Sequence, residues 1–288
     1  MRLLDLALAS ALLWSSGPGV TRELPPAKPR DVEIIGLDYA FQAPSTLPGG
    51  RTTFRFFNRG KVSHELNIGL LKRGVTVQQF VDAMSSERPI AEVREMSVGV
   101  LFAEPGTRAP AALSTDLLPG RTYIVICVFK DSLAAKRHIG MGMFSLITVG
   151  SAAARASPAP AVDSVVGADY AFVRYPRTLA PGRHHFAFAN EGIARHEVVM
   201  ALLAPGATVQ KLVEVSRANG DLKPLIEQRV GVLVALGGTA PLGLLEVDML
   251  PDRDYAIVCN FSDTPGSPRH VMLGMFGSIH VSAAKTMR

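Results

Sequence analysis

The chain has 288 residues, of which 48% are apolar and 19% charged, with 26 glycines, 20 prolines and a formal net charge of +5. That composition excludes a disordered or low-complexity chain, and two cysteines are too few for a disulfide framework. The charge is spread, with +3 over residues 32–149 and −2 over residues 162–281; without a basic stripe interleaved with aromatics, nucleic acid is not an expected partner.

The chain opens MRLLDLALASALLWSSGPGV. A basic start, an apolar run and small residues predict a secretory signal within an N-terminal extension over residues 1–31, and so a periplasmic or secreted protein. The run is too short to span a bilayer and no second apolar segment follows, so no membrane span is expected in the mature protein. RTTFRFFN then alternates, with Phe54 and Phe56 on one face of a predicted strand, and HELNIGLL is a second, apolar strand. Val77, Phe80, Val81 and Met84 fall at helical spacing, and Thr76-x-x-Gln79 predicts a capping box at the helix start. LLPGRTYIVICVF is a turn feeding a β-rich run, and MFSLITV closes the unit.

The same pattern then recurs. Phe54, Asn58, Gly60, His64 and Glu65 match Phe186, Asn190, Gly192, His196 and Glu197 at a constant offset. Cys127, His138 and Gly142-Met143-Phe144 match Cys259, His270 and Gly274-Met275-Phe276 at the same offset. DYAF at 38–41 recurs at 169–172, one residue out of step. Such self-similarity indicates duplication of one unit. It predicts two domains, 32–149 and 162–281, joined by the Ala/Ser/Pro linker 150–161 and followed by a tail over 282–288. Each is expected to be an all-β sandwich with a short helical insertion.

The shared residues carry one chemistry. Each unit offers two imidazoles, a thiolate and a thioether: His64, Cys127, His138 and Met143, then His196, Cys259, His270 and Met275. A trigonal His2Cys set with a weak axial thioether suits copper in both oxidation states, whereas zinc favours four strong ligands and Met is a poor one. Met141 has no counterpart in the second copy, where Leu273 stands, so Met143 is the axial candidate. His184, His185 and His280 have no repeat partners. For each cysteine taken singly, a buried structural thiol is the simpler reading; a Cys127–Cys259 disulfide would require the two loops to meet.

On these residues each unit resembles a cupredoxin, the blue (type 1) copper fold of plastocyanin and azurin. Asn58-x-Gly60 before His64, Pro119-Gly120-x-x-Tyr123 before Cys127, and the His-x4-Met tail all match that pattern. The resemblance implies a Greek-key β-sandwich in each half, copper at both ligand sets, and partners that are redox proteins or copper donors and acceptors. Two features depart from it. Glu65 and Glu197 stand where plastocyanin-like sites have Asn, and the Cys-to-His loops VFKDSLAAKR and NFSDTPGSPR are long, which predicts a looser site. Ile126 and Val258 precede the cysteines where a bridging His would serve a second kind of copper centre, so an electron carrier is expected rather than an oxidase or nitrite reductase. Copper storage or delivery, and a copper-free cupredoxin-like binding module, are the other readings open to the sequence.

Overall fold

The computed structural model describes residues 28–85, 92–132, 134–152 and 157–283. The expected signal segment, the middle of the linker and the end of the tail lie outside them. The first half runs β1 (Arg30–Leu37), β2 (Ala40–Gln42), β3 (Thr46–Leu47), β4 (Gly50–Asn58), β5 (His64–Leu71), helix α1 (Val77–Ser85), β6 (Arg94–Ala103), β7 (Ala111–Leu117) and β8 (Thr122–Ile126), then a 3-10 turn (His138–Met141) and β9 (Phe144–Val149). The second half repeats this as β10 (Asp163–Ala168), β11 (Ala171–Arg174), β12 (Thr178–Leu179), β13 (Gly182–Asn190), β14 (His196–Leu203), α2 (Val209–Arg217), a 3-10 turn (Lys223–Leu225), β15 (Ile226–Ala235), β16 (Gly243–Met249), β17 (Arg253–Val258), α3 (His270–Leu273) and β18 (Phe276–Val281).

The strands form two layers. One sheet has the order β11-β10-β13-β16-β7-β4-β1-β2, the other β12-β18-β17-β14-β15-β6-β5-β8-β9-β3. Within each half the chain crosses between layers after β2, β3, β4, β6 and β7, and again after the equivalent strands, giving the Greek-key sandwich expected of a cupredoxin. The alternation read in the sequence explains the faces: Phe54 and Phe56, and Phe186 and Phe188, all point into the interlayer core and are buried.

Both sheets run unbroken through the two halves, and one cluster of buried apolar residues extends from Val32 to Val281. The join is antiparallel in each layer. Val100 lies opposite Val232 on β6 and β15, and Leu113 opposite Leu245 on β7 and β16. Each of these pairs is one residue facing its own copy, so a pseudo-two-fold axis passes through the seam. Small residues let the layers close there. A Cβ on Gly99 would lie 2.4 Å from Leu113 Cδ2 and 3.1 Å from the Val232 carbonyl oxygen. On Gly231 it would lie 2.5 Å from Leu245 Cδ1 and 3.0 Å from the Val100 carbonyl oxygen.

The helical insertion forms as its sequence signals indicate. The Thr76 N–H donates to Gln79 Oε1 (2.8 Å) and the Gln79 N–H to Thr76 Oγ1 (3.2 Å), a reciprocal capping box. In the copy Thr208 Oγ1 accepts from the Lys211 N–H. Phe80 and Ala83 pack on Ile124, Ile126 and Ile139, so α1 covers the outer side of β8 and the turn that carries His138. Tyr123 and Tyr255 are buried, and their hydroxyls accept from the N–H groups of Leu118 and Leu250 at 3.1 Å, tying the turn before each cysteine strand to that strand.

Gly231→Ala places a methyl into this seam against backbone and a packed leucine. It is expected to destabilise the chain by about 1–3 kcal/mol, as overpacking does, read as a lower denaturant midpoint, while a Gly206→Ala control changes the midpoint through backbone strain without touching the seam.

Candidate metal centres

Each centre is assembled from three backbone segments. His64 starts β5, directly after the loop that leaves β4. Asn58 holds that loop: its side-chain oxygen accepts from the Gly60 N–H (2.8 Å) and its amide donates to the carbonyls of Val62 (2.8 Å) and Ala103 (3.0 Å). Gly60 is required by closeness, since a Cβ there would lie 2.8 Å from His64 Nε2. Asn190 makes the corresponding bonds to Gly192, Ala194 and Ala235. The Asn-x-Gly element thus lays the loop over the first histidine.

Cys127 follows β8, and His138 and Met143 follow on the returning turn. The ten-residue excursion between Cys127 and His138 is closed at its base. The His138 N–H donates to the Phe129 carbonyl (2.8 Å), the Ile139 N–H to the Cys127 carbonyl (2.8 Å), the Met143 N–H to the His138 carbonyl (3.0 Å) and the Cys127 N–H to the Met143 carbonyl (3.2 Å). All four bonds recur around Cys259, Phe261, His270, Val271 and Met275. Where the loop length predicts a looser site, the base of each excursion is closed by these four bonds.

The donor atoms converge. His64 Nδ1 and His138 Nδ1 are 3.1 Å apart, and Cys127 Sγ lies 3.3 Å from His138 Nδ1 and 3.9 Å from His64 Nδ1. In the copy the distances are 3.0, 3.5 and 3.8 Å. His64, Cys127, His138 and Met143 are fully buried, as are His196, Cys259 and Met275, with His270 1% exposed. Among the described residues these two triads are the groups of His, Cys, Asp or Glu whose ligand atoms come within 4.8 Å of one another. His184, His185 and His280 lie elsewhere and pair with Asp163, Glu246 and Asp254. Met141 is exposed and Met272 packs on the outer cluster around α2, so neither belongs to a triad. Both cysteines are free thiols in separate triads, which removes the disulfide.

Burial keeps the donor groups uncharged. Burial pushes the Cys127 thiol up to about 12, with Glu65 adding to the rise, and the Cys259 thiol up to about 11. Burial and the neighbouring imidazole lower the pKa of His64 and of His196, keeping both rings neutral. Neutral imidazoles and a thiol that ionises only with a positive partner are the requirements of a soft metal site.

Two further residues complete each site, and sequence reading did not assign them. Asp131 Oδ1 is 2.9 Å from His138 Nε2, and the Tyr39 hydroxyl donates to Asp131 Oδ2 at 2.7 Å. Asp263 does the same for His270 (3.1 Å) and Tyr170 (2.6 Å). A carboxylate only accepts, so Nε2 carries the proton and Nδ1 keeps its lone pair toward the triad. Hydrogen bonds from Tyr39 and His138 hold the Asp131 pKa below the usual range. Tyr39 and Tyr170 sit edge-on to the second histidine, 5.1 and 5.0 Å between ring centres, at the tips of two-residue hairpins with φ of 60° and 63°. A bulky residue in that left-handed region is uncommon. The signal was present in the repeated DYAF and in the aspartate shared by the two polar loops.

Glu65 and Glu197 perform the loop-pinning that the sequence left open. Glu65 Oε1 accepts from the Val128 N–H (3.3 Å) and Glu197 Oε1 from the Asn260 N–H (3.2 Å), each the residue after the cysteine. Their own N–H groups donate to Cys127 and Cys259 Sγ at 3.4 Å.

The two centres stand at opposite ends of the seam. His64 pairs with Ala103 and His196 with Ala235, on strands related by the pseudo-dyad at Val100 and Val232. Three interstrand spacings sideways and six residues lengthwise place them about 25 Å apart.

No family model and no curated protein matches this chain. Among solved structures, the chain is similar to dithionite-reduced auracyanin from the photosynthetic bacterium Roseiflexus castenholzii (18% identity, 43% of this chain and 99% of that one, TM-score 0.30). It is similar to auracyanin A, a blue copper protein from Chloroflexus aurantiacus (18% identity, 43% and 100%, TM-score 0.28). It is also similar to a copper nitrite reductase from Nitrosomonas europaea (14% identity, 88% and 94%, TM-score 0.25). The fold assignment rests on the chain's own strand order and site geometry.

Two outcomes follow from the residues around the triads. Asp131→Ala, at an exposed position, is expected to leave the circular dichroism unchanged and to weaken metal binding at the first site by about 10–100-fold, measured by competition with a chromophoric chelator. Burial raises Glu197 from 4.5 to about 7. A carboxyl that is harder to ionise folded than unfolded binds the extra proton in the native state. The contribution of Glu197 to the stability of the metal-free chain should therefore fall as pH rises from about 4.5 to about 7 and level off above, while the lowered His64 and His196 contribute in the opposite sense; the difference in denaturant midpoint between the chain and Glu197→Gln across this range isolates the glutamate and checks it.

Proposed function

We propose that the chain binds copper at both triads and works as an exported electron carrier. The observation that carries this reading is the convergence of two neutral imidazole Nδ1 atoms and a thiol sulfur in a dry, pre-closed pocket, built twice. His64, Cys127, His138 and Met143 would hold one ion and His196, Cys259, His270 and Met275 the other. Copper in such a site supplies one-electron exchange between its two oxidation states. The protein's part is to keep the donor set fixed. The backbone clamp between Cys127, His138 and Met143 resists rearrangement, Asp131 keeps the second imidazole in one tautomer, and burial excludes water. A donor set held in one shape lowers the reorganisation that accompanies an electron's arrival or departure.

The partners would be redox proteins that give or take electrons at the two ends. Ile126 and Val258, in place of a bridging histidine, support a carrier over an oxidase. The apolar N-terminal run supports export to the periplasm or beyond, and among the described residues no helix is long and apolar enough to cross a membrane.

A copper titration of the purified protein is expected to saturate at two equivalents, with an intense visible thiolate-to-Cu(II) band. Cys127→Ser and Cys259→Ser should each remove one equivalent, and the double variant both, with unchanged circular dichroism. Protein that takes up no copper would sink this reading, and binding of Cu(I) alone without colour would favour storage or delivery.

A further inference from the structure

The duplication supplies an internal control: two ends share one scaffold and one donor set, so differences between their rims are differences in what each end meets. At the first end the loop over His64 carries Arg59 and Lys61, both exposed. The flap before His138 ends in exposed Lys136 and half-buried Arg137. At the second end the equivalent positions are Glu191, Ile193, Pro268 and Arg269, a single cation among them. Ile193 is 91% exposed, and Leu236, 47% exposed, stands where the first end has Glu104.

The carboxylates at the first end are engaged within the fold. Asp38 accepts from the Lys61 N–H at 2.6 Å, Asp131 is shared by Tyr39 and His138, and Glu104 pairs with Arg229 and bonds Ser63. Lys61, Lys136 and Arg137 take no part in these bonds with their side chains. Arg59 lies over the Phe57 ring, and the partly exposed Tyr39 of the same end sits edge-on to both buried histidines.

We infer that the first end is a docking face for an acidic protein and that the second end is not. The occupant would present a cluster of Asp and Glu side chains around its own redox centre, and naming it a redox partner rests on the function proposed above. Cations spread over two loops around a buried centre steer such a surface and fix its orientation, while adding a salt-sensitive part to the affinity. A lipid surface fits less well, since membrane-binding cations accompany an apolar face that inserts, and the first end offers Leu37 and Met141 at 40% and 39% exposure against Ile193, Leu236 and Leu273 at 91%, 47% and 48% at the other end. The rim of the second end, where Glu191 and Ile193 replace Arg59 and Lys61 and the half-buried Arg195 lies over the Phe261 ring, gives that centre a different partner preference.

The test uses the full-length, metal-free protein and a poly-glutamate peptide, with amide shifts followed by NMR. At low salt the shifts are expected to cluster in 59–63 and 134–138 and to leave 191–195 and 266–270 unmoved. Raising the salt until the screening length falls to a few ångströms should weaken binding by about tenfold or more. Lys61→Glu with Lys136→Glu should weaken it to a similar extent, and Glu191→Lys with Ile193→Lys should create binding at the second end. Equal shifts at both ends, indifference to salt, or indifference to the charge reversals would overturn the proposal. Vesicles containing phosphatidylserine that move the same amides at lower concentration than the peptide would overturn the assignment to a protein. Because no metal is present, failure of the copper titration removes the proposed function without deciding this result, and the reverse holds as well.

Discussion

The structure depends on the antiparallel pairing across the pseudo-dyad, β6 with β15 and β7 with β16. Each half alone would end one layer in β6 and the other in β7, two unpaired edges with apolar outer positions such as Val100. Unpaired edges of that kind invite association with other chains. Pairing each with its own copy removes both at once and merges two small cores into one. The same pairing fixes where the chemistry sits. Because each triad lies to one side of the axis, the two-fold relation sends the triads to opposite ends. Close approach at Gly99 and Gly231 is the local condition for this arrangement, since the facing strands are held against Leu113 and Leu245 with no room for a side chain.

Within each end a second constraint operates. A thiol and two imidazoles are buried where an isolated thiolate would be costly, and the chain keeps them there through backbone bonds rather than through rigidity of the loop as a whole. The clamp at Phe129, Cys127, His138 and Met143 needs no particular residues in the flap it closes off. That is why VFKDSLAAKR and NFSDTPGSPR can differ at most positions while holding identical triads. Of the three flap residues the copies share, Phe129/Phe261 pack and close the clamp, and the aspartate orients the site. It accepts hydrogen bonds from both the histidine and the tyrosine, so a single carboxylate orients a buried ring and anchors the hairpin tip that covers it.

Much of this was legible in the sequence because the chain contains its own comparison. A constant offset picked out His64, Cys127 and His138, whose donor atoms the fold brings together, and preferred Met143, which is buried, over Met141, which is exposed. Alternation and the capping box located strands and helix because those signals are local. What was not legible was longer in range or smaller in signal. The seam involves strands whose apolar outer faces look like ordinary sheet positions, so continuity of the two layers could not be read from Val100 or Leu113 alone. Tyr39 and Asp131 are 92 positions apart and meet only in the fold. The loop length suggested looseness because hydrogen bonds at its base leave no mark in composition. Glu65 was ambiguous because a buried carboxylate accepting one N–H and an exposed charge on a strand share the same letter.

A duplicated site usually invites the thought that the two copies act on each other. The geometry argues otherwise. Electron tunnelling weakens exponentially with distance, and about 25 Å of intervening sheet separates the first histidines of the two triads. Were both triads to carry copper as proposed, centres so placed would exchange electrons with outside partners sooner than with each other. What the duplication provides instead is freedom: each rim can change without disturbing the other, and the seam residues, not the triads, are what bind the two histories together. The divergence of Arg59 and Lys61 from Glu191 and Ile193, beside unchanged Asn58, Gly60 and His64, is what that freedom looks like in a single chain.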